Sequence, residues 1–317
     1  MPLSLARGRS YLVPLWRASA PLTGVALLML PVLAACLLGL WLDPRTIAGA
    51  PAWLKPAKFA LSIAFYALTL AWVFRYLPER VRLRRAVGWI SAGVFVLELS
   101  IIGVQAWRGK ISHFNTSTLL DSILFAIMGV AILAQTLASV AVAVALWRQK
   151  FADRALGWSL RLGLSVAILG ASFGALMSRP TPAQLETMHT AAPSVVGAHT
   201  VGGPDGGPGL PGTGWSREHG DLRVPHFLGL HALQVLPLLA LGLRRTRHSQ
   251  PQRVRLVVTA GISYAGLVLL LLWQALRGQA LTAPDATTAA ALFAWLALSL
   301  LFLRQPLGER PMAAHAA

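Results

Sequence analysis

A polytopic, all-α transmembrane bundle of about eight spans is the fold class this sequence predicts, and three observations predict it. Hydrophobic residues make up 56% of the 317 and charged residues only 12%, which lies outside the range of soluble globular domains. Eight stretches are apolar over roughly 18 residues or more, enough to cross a bilayer core of about 30 Å as helix. The basic residues also alternate between connections, as they do when Lys and Arg are retained on the cytoplasmic side.

The spans are expected near 21–42, 56–77, 85–107, 118–147, 155–178, 226–243, 254–276 and 286–303, as a single membrane domain over 1–317. The first contains "LAAC", Leu33 to Cys36, which matches a lipoprotein-type cleavage box. Its apolar run continues through Trp41, longer than a typical signal h-region, so an uncleaved span is the simpler reading. Arg7, Arg9 and Arg17 precede it; Arg80, Arg82, Arg84 and Arg85 join the second span to the third; Arg148, Lys150 and Arg154 join the fourth to the fifth. The connection from the sixth span to the seventh, "RRTRHSQPQRVR", is the most basic. This alternation predicts both termini in the cytoplasm and a cell-membrane location. The long connection, Arg179 to Pro225, then falls outside. Its centre, "VGGPDGGPGLPGTG", should be turns. Two readings of it stand: a flexible linker, or an ordered lid favoured by Trp215 and by His189, His199 and His219. It has no Gly-Lys-Ser/Thr ending and is no P-loop.

The net charge of +17 is mostly this topology signal. The basic residues sit in short loops without interleaved aromatics, which argues against nucleic-acid binding and for contact with anionic membrane lipids. A single cysteine excludes an internal disulfide, a C-x-x-C-H haem attachment and a Cys-based zinc cluster.

Topology places His113, His189, His199, His219, His226 and His231 outside or in the outer leaflet, with His248 and His315 inside. Helix rise puts His231 about 7–8 Å deeper than His226, and an ionisable group at that depth needs a partner or a job. Polar residues recur at helical spacing: Lys58, Ser62, Tyr66 and Thr69; Ser91, Glu98 and Gln105; Asp121 and Gln135; Arg161, Ser165 and Ser172; His231 and Gln234. The first and last spans show no such stripe. A bundle follows in which spans two to six face a polar interior and the first and eighth are peripheral.

Each candidate has a structural reading beside its functional one. Glu98 pairs with Arg161 or serves a path; Asp121 completes a Thr-x-x-Asp capping box with Thr118 or enters the site. Lys58 snorkels or lines the interior, and His113 is a loop residue or a ligand. His226, after Pro225, starts its helix or joins the site. His231 is a hydrogen-bonded core histidine or the deepest ligand. Asp221 and Arg223 stand at the mouth, Asp221 as a group that could orient an imidazole.

The elements "WLKPAKFALS" (Trp53 to Ser62), "RGKISHFNTSTLLD" (Arg108 to Asp121) and "GAHTVGGPDGGPGLPGTGWSREHGDLRVPHFLGLHALQ" (Gly197 to Gln234) resemble a family of hypothetical bacterial multi-span membrane proteins. The resemblance covers most of 40–245. It implies a bacterial membrane address and brings no activity with it.

Four functional classes remain. The first is a His-liganded divalent metal or b-type haem centre on His231 with His226 or His113, because neutral imidazole is a common ligand and bundle cores hold cofactors. Gly229 would admit a flat macrocycle. His226 and His231 are five apart, however, rather than i,i+4 on one face. The second is a proton or solute path through Lys58, Glu98, Arg161 and His231, serving a small or lipid-soluble substrate reached from the outer face; inverted repeats are not visible. The third is a Ser172–His231 dyad in Gly170-x-Ser172-x-Gly174, where Gly170-x-x-x-Gly174 reads better as a packing surface. The fourth is a non-catalytic scaffold. Oligomeric state is not legible.

Overall fold

The computed structural model describes residues 12–304. Arg7, Arg9 and His315 lie outside the described residues. A short helix at 12–18 (α1) leads into α2 (Ala20–Leu42), followed by α3 (Leu54–Phe74), α4 (Val81–Trp107), α5 (Leu119–Arg148), α6 (Arg154–Met177), the short α7 (Pro182–Met188), α8 (Arg223–Leu243), α9 (Gln250–Leu276) and α10 (Ala286–Arg304). Eight of these are long and apolar enough to cross a membrane. Cys36 lies buried within α2.

Successive long helices run up and down, so the connections gather on two faces. One carries the long connection 178–222 and is called the loop face. Its two hairpins are minimal: β1 (Thr46–Ile47) pairs antiparallel with β2 (Ala50–Pro51), and β3 (Thr200–Val201) with β4 (Gly220–Asp221). The opposite face carries the connections richest in arginine.

Two helix starts differ from the sequence expectation for one reason. Prolines at 56 and 225 suggested starts at those points, but α3 begins at Leu54 and α8 at Arg223. Proline is tolerated in a first turn, where the N–H groups have no intrahelical partner. His226 therefore sits inside the first turn of α8 rather than at its start.

The main core is built from α2, α3, α4, α5, α6 and α8 around Leu22, Met29, Leu70, Phe74, Leu146, Leu160 and Leu233. The first long helix is thus not peripheral, because Leu22, Val25, Ala26 and Met29 of α2 pack into that core. The last is peripheral: α10 packs on α9 through Ser263–Ser299 (2.6 Å) and the Trp295 indole on Ser263 O (2.8 Å), and Thr288 is its one buried residue.

Glycine sets the closest helix approach. A Cβ built on Gly229 of α8 would lie 2.5 Å from Gly170 Cα of α6, and one on Gly163 would lie 2.9 Å from Ala232 O. Backbones this close gain van der Waals contact that a side chain would forbid. Gly170 is therefore a packing residue as read, while Gly229 serves that contact and does not open a seat for a macrocycle. Ser172 faces outward and donates to Leu169 O at 2.6 Å, so the Gly-x-Ser-x-Gly stretch presents no nucleophile to His231.

Replacing Gly229 by alanine should push α6 from α8 and destabilise the protein by about 1–3 kcal/mol, read from thermal unfolding in detergent. Gly129→Ala, whose Cβ would meet nothing within 4 Å, should be neutral or stabilising by up to about 1 kcal/mol. Equal losses would mean that the Gly170–Gly229 approach does not hold the two helices.

Candidate functional site

The long connection is tied down along its length. Gln184 donates to Gly197 O (3.1 Å) and accepts from Gly197 N (2.9 Å), while Thr181 and Gln184 form a capping box that starts α7. Thr116 Oγ donates to Pro193 O (2.6 Å), Val196 N to Phe114 O (2.9 Å) and Leu222 N to His199 O (2.9 Å). Gly220 is packed against the Ala275 carbonyl and Gly278 of the α9 end. These contacts join the connection to the α4–α5 and α9–α10 turns and spread it over the loop-face ends of the helices.

Beneath it lies a cluster of ionisable side chains. Lys55 Nζ donates to His113 Nδ1 at 3.2 Å, and Ser112 Oγ lies 3.1 Å from the same nitrogen. Accepting from an ammonium keeps the His113 proton on Nε2. Burial holds the His113 pKa well below the ordinary imidazole range, and the charge of Lys55 and the nearby His199 and His226 push the same way. The His199 ring meets Phe114 edge-on at 4.9 Å and its Nδ1 lies 3.0 Å from Asp205 Oδ2. Burial lowers the His199 pKa against the opposing bond from Asp205. Burial works against the Asp205 carboxylate, but bonds from the His199 ring and from the His199 and Thr200 amides hold it well below the usual range. His226 Nδ1 donates to Gly170 O at 2.8 Å, leaving Nε2 as an acceptor.

Lys55 also stands in the field of Glu98, Lys58, Arg223 and Asp205. Glu98 is 2% exposed and neither carboxyl oxygen has a hydrogen-bond partner. By helix rise it lies roughly 13 Å from the loop-face end of α4. Farther from that face, unused hydrogen-bonding capacity recurs at buried Ser91 Oγ and Gln135 Oε1, beside Tyr66 OH, which lies 3.2 Å from Ser139 Oγ.

Several expected partners do not meet. Arg161 donates to Leu146 O (3.0 Å) and Gln149 O (2.7 Å) at the end of α5. Its guanidinium lies 5.3–5.8 Å from the Trp147, Phe151 and Trp158 rings. Helix-end carbonyls and aromatic faces satisfy it locally, so the Glu98–Arg161 pair does not form. Ser62 faces outward. Lys58 reaches Thr213 O (3.1 Å), so it anchors the long connection, and Lys55 takes the place nearest His113.

Asp121 is fully buried and accepts from Gln105 (2.9 Å), Arg108 (2.6 Å), Ser117 (3.1 Å) and Thr118 (2.8 Å). Thr118 caps α5 through Asp121 N, but the Asp121 carboxylate turns to these donors, so the reciprocal box is not closed. Asp221 pairs with Arg223 at 2.6 Å and accepts from Ser216 N at 2.8 Å; Arg223 also donates to Gly214 O. Among the described residues no imidazole lies on Asp221, and the carboxylate that orients one is Asp205.

His231 turns to Gln234 and lies 4.2 Å from the Phe227 ring, which Trp215 covers. His113 and His226 share one neighbourhood and His231 another, so the three candidate ligands do not converge. Among the described residues no group of three or more His, Cys, Asp or Glu could hold a metal ion. Sequence reading missed Lys55, His199 and Asp205 as members of the cluster. Lys55 precedes Pro56, which hid it at an apparent helix edge, and "HTVGGPD" offered its His–Asp pair only once the loop was seen to fold back.

Because the His113 and His199 pKa values are depressed by folding, the unfolded chain binds more protons than the native one as pH falls below about 6.5. Their contribution is full above that pH and is lost as pH falls through the native values. Amide exchange at 113–116 and 195–200, corrected for its intrinsic rate, should therefore accelerate between pH 7.5 and 5, and less so in His199→Gln. Rates that ignore pH would show that neutral imidazoles do not hold the connection down.

No family model, curated protein or solved structure matches this chain.

Proposed function

We propose that the chain is a proton-coupled carrier of a bacterial cytoplasmic membrane, with both termini inside and the loop face outside. Glu98 is its proton-binding group, and the solute, a small or lipid-soluble molecule, enters beneath the long connection. The observation that carries this reading is the buried Glu98 carboxyl, which has no hydrogen-bond partner among the described residues and stands in the field of Lys55. A carboxylate without partners in low dielectric is costly in charged form, and intramembrane acids of this kind mark proton and solute pathways. Lys55 would meet the charge that Glu98 acquires on releasing its proton. His113, bonded to Lys55 and carried by the α4–α5 connection, would pass the proton on toward the loop face. Ser91, Tyr66 and Gln135 continue the polar line toward the opposite face.

The charge distribution supports the orientation, since the arginine-rich connections of the opposite face fit a cytoplasmic side and anionic lipids. The donor set favours this reading over a metal or b-type haem centre on His231, His226 and His113. The outward Ser172 hydroxyl likewise weighs against a Ser–His hydrolase.

In proteoliposomes bearing a pH gradient, wild-type protein should pass protons at a rate that Glu98→Gln lowers by about a hundredfold or more. The variant should stay folded, because the amide keeps the volume and removes the buried charge. Lys55→Met should also slow the flux, while Lys150→Met, on the opposite face, should leave it near wild type. Undiminished flux through Glu98→Gln would end the reading.

A further inference from the structure

A cleft of about 300 Å³ opens on the loop face. Three distant segments line it: the β1–β2 turn with Thr46 and Ala48, the α4–α5 connection with Gly109, Lys110 and Asn115, and the long connection with Ser194. The walls are fixed. Asn115 is buried, donates to Ile111 O (3.1 Å), accepts from Ser117 N (3.1 Å) and pairs with Val195 across the cleft wall. Ala48, at φ 49°, and Phe114, at φ 65°, hold left-handed conformations that L residues adopt at a cost.

The chemistry of the lining is one-sided. It contains no carboxylate, and Lys110 supplies its formal charge. The Lys110 ammonium takes part in none of the ion pairs among the described residues. The Arg45 guanidinium near Gly109 is taken by Asp43 (2.7 Å) and Trp107 O (3.0 Å), which leaves Lys110 as the charge of the cleft. Thr46 and Ser194 add hydroxyl donors. The nearest buried acid, Asp121, is consumed by its own donors. The height of the cleft is equally specific. Trp41 and Trp107, at the loop-face ends of α2 and α4, are 81% and 73% exposed, and exposed tryptophans at span ends mark the level of lipid headgroups.

We infer that this cleft binds a phosphate group, with Lys110 as its charge partner and Thr46 and Ser194 as hydrogen-bond donors. The same chemistry fits a phospholipid headgroup entering from the bilayer and a free phosphate entering from solvent. Charge-assisted bonds to an oxyanion are the strong kind, and their loss in a partly exposed site costs about tenfold in affinity.

Three probes titrated against the purified full-length protein in detergent test this, with binding read by native mass spectrometry: inorganic phosphate, short-chain phosphatidylglycerol, and the matching diacylglycerol without phosphate. Lys110→Gln should weaken binding of phosphate-bearing probes about tenfold, and Lys150→Gln, on the opposite face, should not change it. Binding of both phosphate-bearing probes would identify phosphate itself as the determinant, whereas binding of the lipid alone would identify the headgroup as the source. The inference is overturned if neither probe binds, if diacylglycerol binds as well as phosphatidylglycerol, or if Lys110→Gln binds like wild type. None of these readouts depends on proton flux.

Discussion

An ionisable group inside a bilayer-spanning bundle has to be paired, delivered to solvent or relieved of its charge, because an isolated charge in low dielectric is worth far more than any single packing contact. Nearly every polar decision in this chain can be traced to that constraint. Asp121 is surrounded by four donors and tied to Arg108. Asp221 takes Arg223. Asp153 caps α6 and gathers Arg244 and Arg253 across the opposite face. Arg161 spends its donors on carbonyls at the end of α5. Glu98 is the buried carboxylate among the described residues that accepts no hydrogen bond.

The same constraint explains why the long connection folds back. Without it, Lys58, Arg223 and His199 would face solvent as separate side chains. With it, Thr213, Gly214 and Asp205 return to meet them, and the loop becomes the roof of the cluster below. Glycine makes both levels possible: Gly170 against Gly229 draws α6 and α8 together beneath the roof, and the left-handed Gly197 turns the chain at the Met177 carbonyl beside Phe114. Cluster, roof and close helix pair are thus parts of one arrangement, and changes to any of them should be felt at Lys55 and His113.

The eight spans were legible because a hydrocarbon-length apolar run leaves few alternatives. Thr118 as a cap and Gly170 as a packing residue were legible because each rests on local geometry. Rotation of the helices about their axes was not. Periodicity showed that Lys58, Ser62 and Tyr66 share a face, yet Ser62 faces outward while Tyr66 reaches Ser139, since a stripe wide enough to include all three straddles the boundary. Depth along an axis also misled: it placed Glu98 and Arg161 close enough to pair, but the guanidinium bonds instead to carbonyls at the end of α5. Contacts across more than a hundred residues, such as Lys58 with Thr213, leave no trace in spacing.

The proposed carrier depends on Glu98 exchanging a proton while buried. Infrared difference spectroscopy of the protein in lipid, stepped through pH, reads this directly through the C=O stretch of a protonated carboxyl. A proton site at Glu98 requires a carboxyl band that appears and disappears with pH, is absent in Glu98→Gln, and shifts its midpoint when Lys55 is replaced by methionine. A spectrum in which Glu98→Gln removes no titrating carboxyl band would contradict it.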